Sequence, residues 1–226
     1  MGHWTEKFTD LLNLFIESRC PLCQRSTHQP LCLDCQRQIQ HCQLVDRQVF
    51  WQEPLPLFVW GKYGGALKRS IASLKYDNQP QLARPLGHWL AQAWLATPQI
   101  ATKSLTVVPI PMHPDKQKKR GFNQAELLAK SFCEVTGLPL QCQGLARIRA
   151  TEAQFGLSSA QRQQNLKDAF QLGDAFYHRR PSRAILLLDD IYTTGATAKA
   201  AIETLQQHHI SVYGLITIAK TIQGKP

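Results

Sequence analysis

From residue 56 onward the chain alternates short apolar runs with stretches of helical period. Phe58-Val59-Trp60 reads as a strand, and residues 65–76 place Leu67, Ile71 and Leu74 at i, i+4 and i+7 on one helical face. Residues 85–95 repeat that pattern with Leu86, Leu90 and Ala93. A β-rich run over 105–110 is stopped by Pro109 and Pro111, and residues 124–135 return to helical period. Residues 184–188 form an apolar strand, 195–206 a helix and 210–219 a last strand. This alternation predicts an α/β fold, a parallel sheet flanked by helices on both faces. The stretch 147–183 is polar and less regular, with one helical piece at 159–170, as in a lid or binding loop. No internal repeat is visible.

Residues 1–55 read differently. They hold five of the seven cysteines and little strand-like alternation. Two units follow: 1–55, an N-terminal helix with a four-cysteine zinc-binding segment, and 56–226, the α/β domain. Cys20-Pro21-Leu22-Cys23 and Cys32-Leu33-Asp34-Cys35 are two C-x2-C knuckles separated by eight residues. That spacing brings four thiolates around one Zn²⁺ and leaves no open position for catalysis, so the expected zinc is structural. It folds a segment too small for a core of its own. Cys42, His28 and His41 stand nearby and read as surface residues, while Cys133 and Cys142 read as small buried apolar ones.

Composition narrows the function. Of 226 residues, 43% are hydrophobic and 19% charged, enough for a core and too little charge for a disordered polyelectrolyte. The longest apolar runs, such as Ile185-Leu186-Leu187-Leu188, are far too short to span a bilayer. Residues 1–16 carry Glu6 and Asp10 and lack a basic-then-apolar leader pattern. With cysteines spaced for metal and not for disulfides, the expected compartment is the cytoplasm. A net charge of +10, from 26 Lys and Arg against 16 Asp and Glu, suits polyanionic or phosphorylated partners, or simply solubility.

The most informative segment runs from Leu186 to Thr197. An apolar strand ends in Asp189 and Asp190, and Tyr192-Thr193-Thr194-Gly195-Ala196-Thr197 opens a helix. Helix-start amides and the macrodipole favour an anion, and Gly195 lets the backbone approach it. The hydroxyls of Thr193, Thr194 and Thr197 add donors. The two carboxylates would repel a phosphate, so they suit sugar hydroxyls or a Mg²⁺ ion on the same ligand. A ligand with one phosphate, vicinal hydroxyls and a metal is a ribose 5-phosphate derivative.

This segment resembles the phosphoribosyl pyrophosphate (PRPP) loop of type I phosphoribosyltransferases. Val107-Val108-Pro109-Ile110-Pro111-Met112-His113, the basic run to Arg120, and Gly121-Phe122-Asn123-Gln124 resemble the ComF/GntX family of competence-associated proteins. So do Leu74-Lys75-Tyr76, the spaced residues Arg147, Arg149, Thr151, Gln154 and Leu157, then Arg162, Asn165, Ala169 and Phe170, and the zinc knuckles. Many members of that family carry a second cysteine pair downstream. Only Cys42 stands there in this chain, which argues for one zinc.

The resemblance implies a type I phosphoribosyltransferase fold, with a hood drawn from parts of 56–80 and 145–165, and a small N-terminal zinc-binding segment. It places the 5-phosphate at Thr193, Thr194, Gly195, Ala196 and Thr197, and the ribose hydroxyls at Asp189 and Asp190. Pyrophosphate falls to Pro111, Met112 and His113, with Lys116, Lys118, Lys119 and Arg120 as countercharges and Mg²⁺ bridging ribose and pyrophosphate. Several purine-handling members carry an acid where Thr193 stands, and Thr193 cannot accept a proton from a base. The implied function is a PRPP-binding competence factor handling incoming single-stranded DNA, with other competence-machinery proteins as partners and a homodimer as the assembly. The alternative is a Mg²⁺-dependent phosphoribosyltransferase of nucleotide salvage, and a weaker third reading is a nucleotide-sensing interaction module.

Overall fold

The computed structural model describes residues 18–46, 49–52, 54–100, 104–149 and 169–222. The helix expected near the N-terminus lies outside them. So do Thr151, Gln154, Leu157, Arg162, Asn165 and most of the helical piece expected at 159–170.

Two short antiparallel strands, β1 (Ser18–Arg19) and β2 (Ser26–Thr27), lead into helix α1 (Leu33–Gln40). Then come β3 (Leu57–Lys62), α2 (Gly65–Tyr76), a 3-10 turn over Pro80–Leu82, α3 (Ala83–Leu95) and β4 (Leu105–Pro109). Helices α4 (Pro114–Arg120) and α5 (Gln124–Thr136) follow. β5 (Leu145–Arg147) pairs antiparallel with β6 (Phe170–Leu172), ahead of the short α6 (Asp174–His178). The chain closes with β7 (Ala184–Tyr192), α7 (Ala196–Gln207) and β8 (Val212–Lys220).

The central sheet is wholly parallel, in the order β3-β8-β7-β4. Successive side chains on a strand point to opposite faces, and the sequence is apolar on both. Phe58, Trp60, Val107, Leu186, Leu188, Ile216 and Ile218 join one buried cluster with the apolar stripes of α2, α3 and α5. Leu57, Val59, Val108, Ile185, Leu187 and Leu215 join a second, with α7, Phe170 and Phe176. Trp94 of α3 centres the first cluster, meeting Phe58 edge-on at 5.3 Å and Trp51 at 5.7 Å. Truncating such a side chain costs about 3–5 kcal/mol, so the sheet is a stiff platform for whatever stands on its edge. Phe58 and Trp60 are fully buried in this core.

The cysteine segment is sewn to this sheet. The Leu44 N–H donates to the Trp60 carbonyl at 3.0 Å, and the Lys62 N–H donates to the Cys42 carbonyl at 2.8 Å. The approach needs glycine at 61, where a Cβ would lie 2.8 Å from the Cys42 oxygen. Cys20, Leu31, Cys35 and Ile39 belong to the same cluster as Trp60 and Leu67.

One boundary moved in a way that matters. The apolar run ends at Leu188, but β7 continues to Tyr192. β8 supplies the ladder partners, with Asp189 opposite Thr217, Ile191 opposite Ala219 and Tyr192 opposite Lys220. Both aspartates therefore sit within a strand.

Candidate functional site

The carboxyl ends of parallel strands are where an α/β sheet opens a crevice, and β7 carries Asp189 and Asp190 there. Strand geometry sends the two side chains to opposite faces. Asp190 turns toward α2, where its Oδ2 lies 2.6 Å from Lys75 Nζ, with the two side chains 10% and 20% exposed. Asp189 Oδ1 accepts the Asp190 N–H at 2.8 Å. Asp189 is half-buried and lines the crevice. Burial, and then the charge of Asp190, raise its pKa to about 7 against the opposing pull of that N–H, Lys75 and Arg147.

Beyond Tyr192 the chain turns at Gly195, whose φ of 77° is left-handed, and enters α7. The left-handed φ favours glycine here, and the Tyr192 hydroxyl end packs where a Cβ would stand. The Ala196 N–H reaches Thr194 Oγ1 at 3.5 Å, a long contact that an anion can replace. Across the crevice, Asn123 links two elements. Its Nδ2 donates to the Ile110 carbonyl at 3.0 Å, and its Oδ1 caps α5 by accepting the Ala125 N–H at 3.1 Å.

These elements enclose a cavity of about 320 Å³. It brings together Asp189, Asp190, Thr193 and Thr197 from one side and Pro111, Met112, Lys116 and Arg120 from the other. Thr194, Gly195 and Ala196 instead line a neighbouring cleft of about 570 Å³, with Leu55, Lys199 and Ile202. The expected phosphate loop thus contributes to two openings. His113 caps α4, its Nδ1 accepting the Asp115 N–H at 3.3 Å, while Lys118 and Lys119 lie on the exposed side of α4 and line neither opening.

Among the side chains lining the acid cavity that were given no role from sequence are Lys75, Gln124 and Arg147. Each lies in a string that carries the family resemblance, which was the available signal. Gln124 is 3% exposed and its amide nitrogen has no hydrogen-bond partner. Leaving such a donor unmade costs about 1–3 kcal/mol. The cavity wall holds four basic residues, Lys75, Lys116, Arg120 and Arg147, against two acidic ones, a balance suited to an anionic ligand.

The second site is the cysteine cluster. The sulfurs of Cys20, Cys23, Cys32 and Cys35 all lie within 4.8 Å of one another, and those of Cys23 and Cys32 are 3.5 Å apart. The first knuckle turns through Gln24, with φ of 63°, its N–H donating to the Cys20 carbonyl at 2.8 Å. Cys32 and Cys35 come from the start of α1, and Arg25 clips the knuckles together through Asp34 at 2.8 Å. Burial opposes ionisation of Cys20, yet amide donors from Cys32, Leu22 and Cys23 outweigh it and bring the thiol down to about 6. Burial and the neighbouring sulfurs drive Cys35 the other way, far upward. Four thiols brought this close together are a donor set that a thiophilic cation can complete. Cys42 is outside the cluster, its Sγ 3.6 Å from the carbonyls of Gln38 and Gly64.

Fold and sites define an α/β protein with a parallel sheet, a crevice at its carboxyl edge and a four-cysteine cluster that can hold a metal. No family model matches the chain. It is 29% identical over 227 residues to Competence protein F of Haemophilus influenzae, covering 89% of this chain and 97% of that one. It is 28% identical to DNA utilization protein YhgH of Escherichia coli K12, over 98% and 93% of the two chains. Competence protein ComFC of Bacillus subtilis is 25% identical, over 87% of this chain and 77% of its own. These likenesses, at 25–29% identity over most of the chain, support the ComF family of competence-associated proteins. Among the described residues, no helix is long and apolar enough to cross a membrane.

Proposed function

We propose that the protein serves competence and DNA uptake as a PRPP-binding factor of type I phosphoribosyltransferase-like fold. The relatives named for competence and for DNA utilization support the first part. The observation that carries the second is one cavity holding an acid pair, two threonine hydroxyls and four basic side chains at the edge of a parallel sheet. Hydroxyls and the α7 start suit the 5-phosphate, the acids suit the ribose diol, and Lys116 and Arg120 suit the pyrophosphate. Carboxylates are hard oxygen donors of the kind Mg²⁺ takes alongside ligand phosphates, so Asp189 and Asp190 fit that ion as it arrives with PRPP. Mg²⁺ would supply charge neutralisation of the pyrophosphate. Thr193 offers no proton acceptor for a base, which favours a binding role over transfer to a purine. The +10 charge supports handling of single-stranded DNA in the cytoplasm.

The cysteine cluster fits zinc. Four sulfurs at about 2.3 Å from one ion are about 3.8 Å apart, within the span observed between them. All four positions are thiols, so the proposed ion is structural.

Titration calorimetry with PRPP and Mg²⁺ tests the ligand. We expect micromolar binding by the native protein and a loss of at least a hundredfold in the Asp189→Ala, Asp190→Ala double variant. Equal affinity in the two would remove the assignment. Pyrophosphate release with any base in a panel would convert the binding protein into an enzyme.

A further inference from the structure

We infer that Lys75 is the resident cation of the acid site, one that ligand loading displaces from Asp190 onto the ligand's anionic end. The inference rests on the ribose-phosphate reading of the cavity and adds a residue and an exchange to it.

Lys75 lies in the last turn of α2, where the negative end of the helix dipole already favours a cation. Its ammonium reaches across to β7 and closes on Asp190 at 2.6 Å, with 20% of its side chain exposed and 10% of that of Asp190. That contact occupies the carboxylate which a diol or a ligand-borne divalent cation would need. An ammonium on Oδ2 and a divalent ion on the same carboxylate repel each other and compete for its lone pairs, so each weakens the hold of the other.

The lysine also has somewhere to go. It lines the same cavity as Lys116, Arg120 and Arg147. The next residue, Tyr76, packs its ring under the Arg120 guanidinium at 5.4 Å, which ties the end of α2 to the basic helix α4. Swinging from Asp190 toward an incoming phosphate keeps Lys75 paired throughout. In the free protein the acid site is neutralised from within. In the loaded protein the ligand's metal or hydroxyls take Asp190, and the freed ammonium joins the countercharges.

The displacement has a signature that a purely structural ion pair lacks: removing the lysine charge moves two affinities in opposite directions. Mn²⁺ alone, with no PRPP present, is titrated into wild type, Lys75→Met and Lys75→Arg by electron paramagnetic resonance. We expect Lys75→Met to bind Mn²⁺ at least tenfold more tightly than wild type and Lys75→Arg to match wild type. In calorimetry with PRPP and Mg²⁺, Lys75→Met loses at least tenfold. Circular dichroism confirms the fold, and if Lys75→Met does not fold, Lys75→Gln carries the same comparison. Mn²⁺ affinity unchanged or lowered in the neutral variant overturns the exchange, as does unchanged PRPP affinity. Failure of the wild type to bind PRPP removes the ligand reading instead, and the Mn²⁺ comparison still decides whether Lys75 stands in for a cation.

Discussion

Four thiols converge in the N-terminal segment and two successive carboxylates close the apolar run of β7, and each set holds groups that repel once ionised. At the knuckles, the cation that clips the two turns together is Arg25, which is spent on Asp34 at the surface with 70% of its side chain exposed. The donors that reach the sulfurs are neutral amides and other thiols, and Cys35 is driven far up by burial and by its neighbours. At the strand end, Lys75 stands 2.6 Å from Asp190. On the zinc reading proposed above, one cluster borrows its positive charge from solution, whereas the other brings its own. A site of the first kind folds only when loaded, whereas one of the second kind folds empty and waits.

Removing the borrowed charge should do the most damage. The knuckles share a buried cluster with Trp60 and Leu67, so their loss reaches the main core. Stripping the proposed zinc with a chelator, or replacing Cys35 with Ser, should cost about 5 kcal/mol or more, given that structural zinc contributes about 10–16 in isolated fingers. Thermal melting followed by circular dichroism, with metal counted before and after, measures it. An unchanged melt after complete metal loss would show that the two regions do not differ in this way.

The internal charge predicts a smaller and more particular effect. Breaking a buried ion pair from one side costs about 3–5 kcal/mol, and this pair keeps some solvent contact, so Lys75→Met or Asp190→Asn alone should each cost about 3. The double replacement should recover most of that, because no uncompensated charge is left. Urea unfolding of the four proteins gives the coupling. Additive losses would mean that the two groups act independently and that the edge is not neutralised from within.

Much of this is legible in the sequence, and the failures share a cause. The helix at Gly65–Tyr76 ends where its periodicity ends, since Leu67, Ile71 and Leu74 fix its buried face locally. The C-x2-C knuckles specify their cluster by spacing alone. The end of β7 escapes the sequence because hydrophobicity stops at Leu188, whereas the strand is sustained by ladder partners on β8 that a single segment does not reveal. Pairing of β5 with β6 escapes for the same reason, each being three residues long. Lys75 is the sharpest case. Its helix is evident from periodicity and its partner lies in a distant strand, so no local pattern could join them. The threonine loop reads as one cup, and the left-handed turn at Gly195 divides it between two openings.

The mildest test separates the two aspartates of the strand end. Asp190 has Lys75 against it, while the pKa of Asp189 is raised to about 7, first by burial and then by the charge of Asp190. An unfolded chain ionises the same carboxyl near about 3.9. Between about pH 4 and pH 7 the folded protein therefore holds a proton that the unfolded chain has released. The contribution of Asp189 to stability is greatest at the acid end of that window, falls as pH rises through it, and levels off once the folded carboxyl has ionised. Asn at position 189 keeps the shape and removes the proton. Relative to wild type, Asp189→Asn should gain about 1–2 kcal/mol between about pH 5 and pH 8, read as a widening gap in urea midpoints. Asp190→Asn should show no such gain, because the loss of its ion pair outweighs any relief of burial. Parallel pH profiles for the two variants would mean that the strand edge treats its acids alike, and the internal cation would then have no special claim on either.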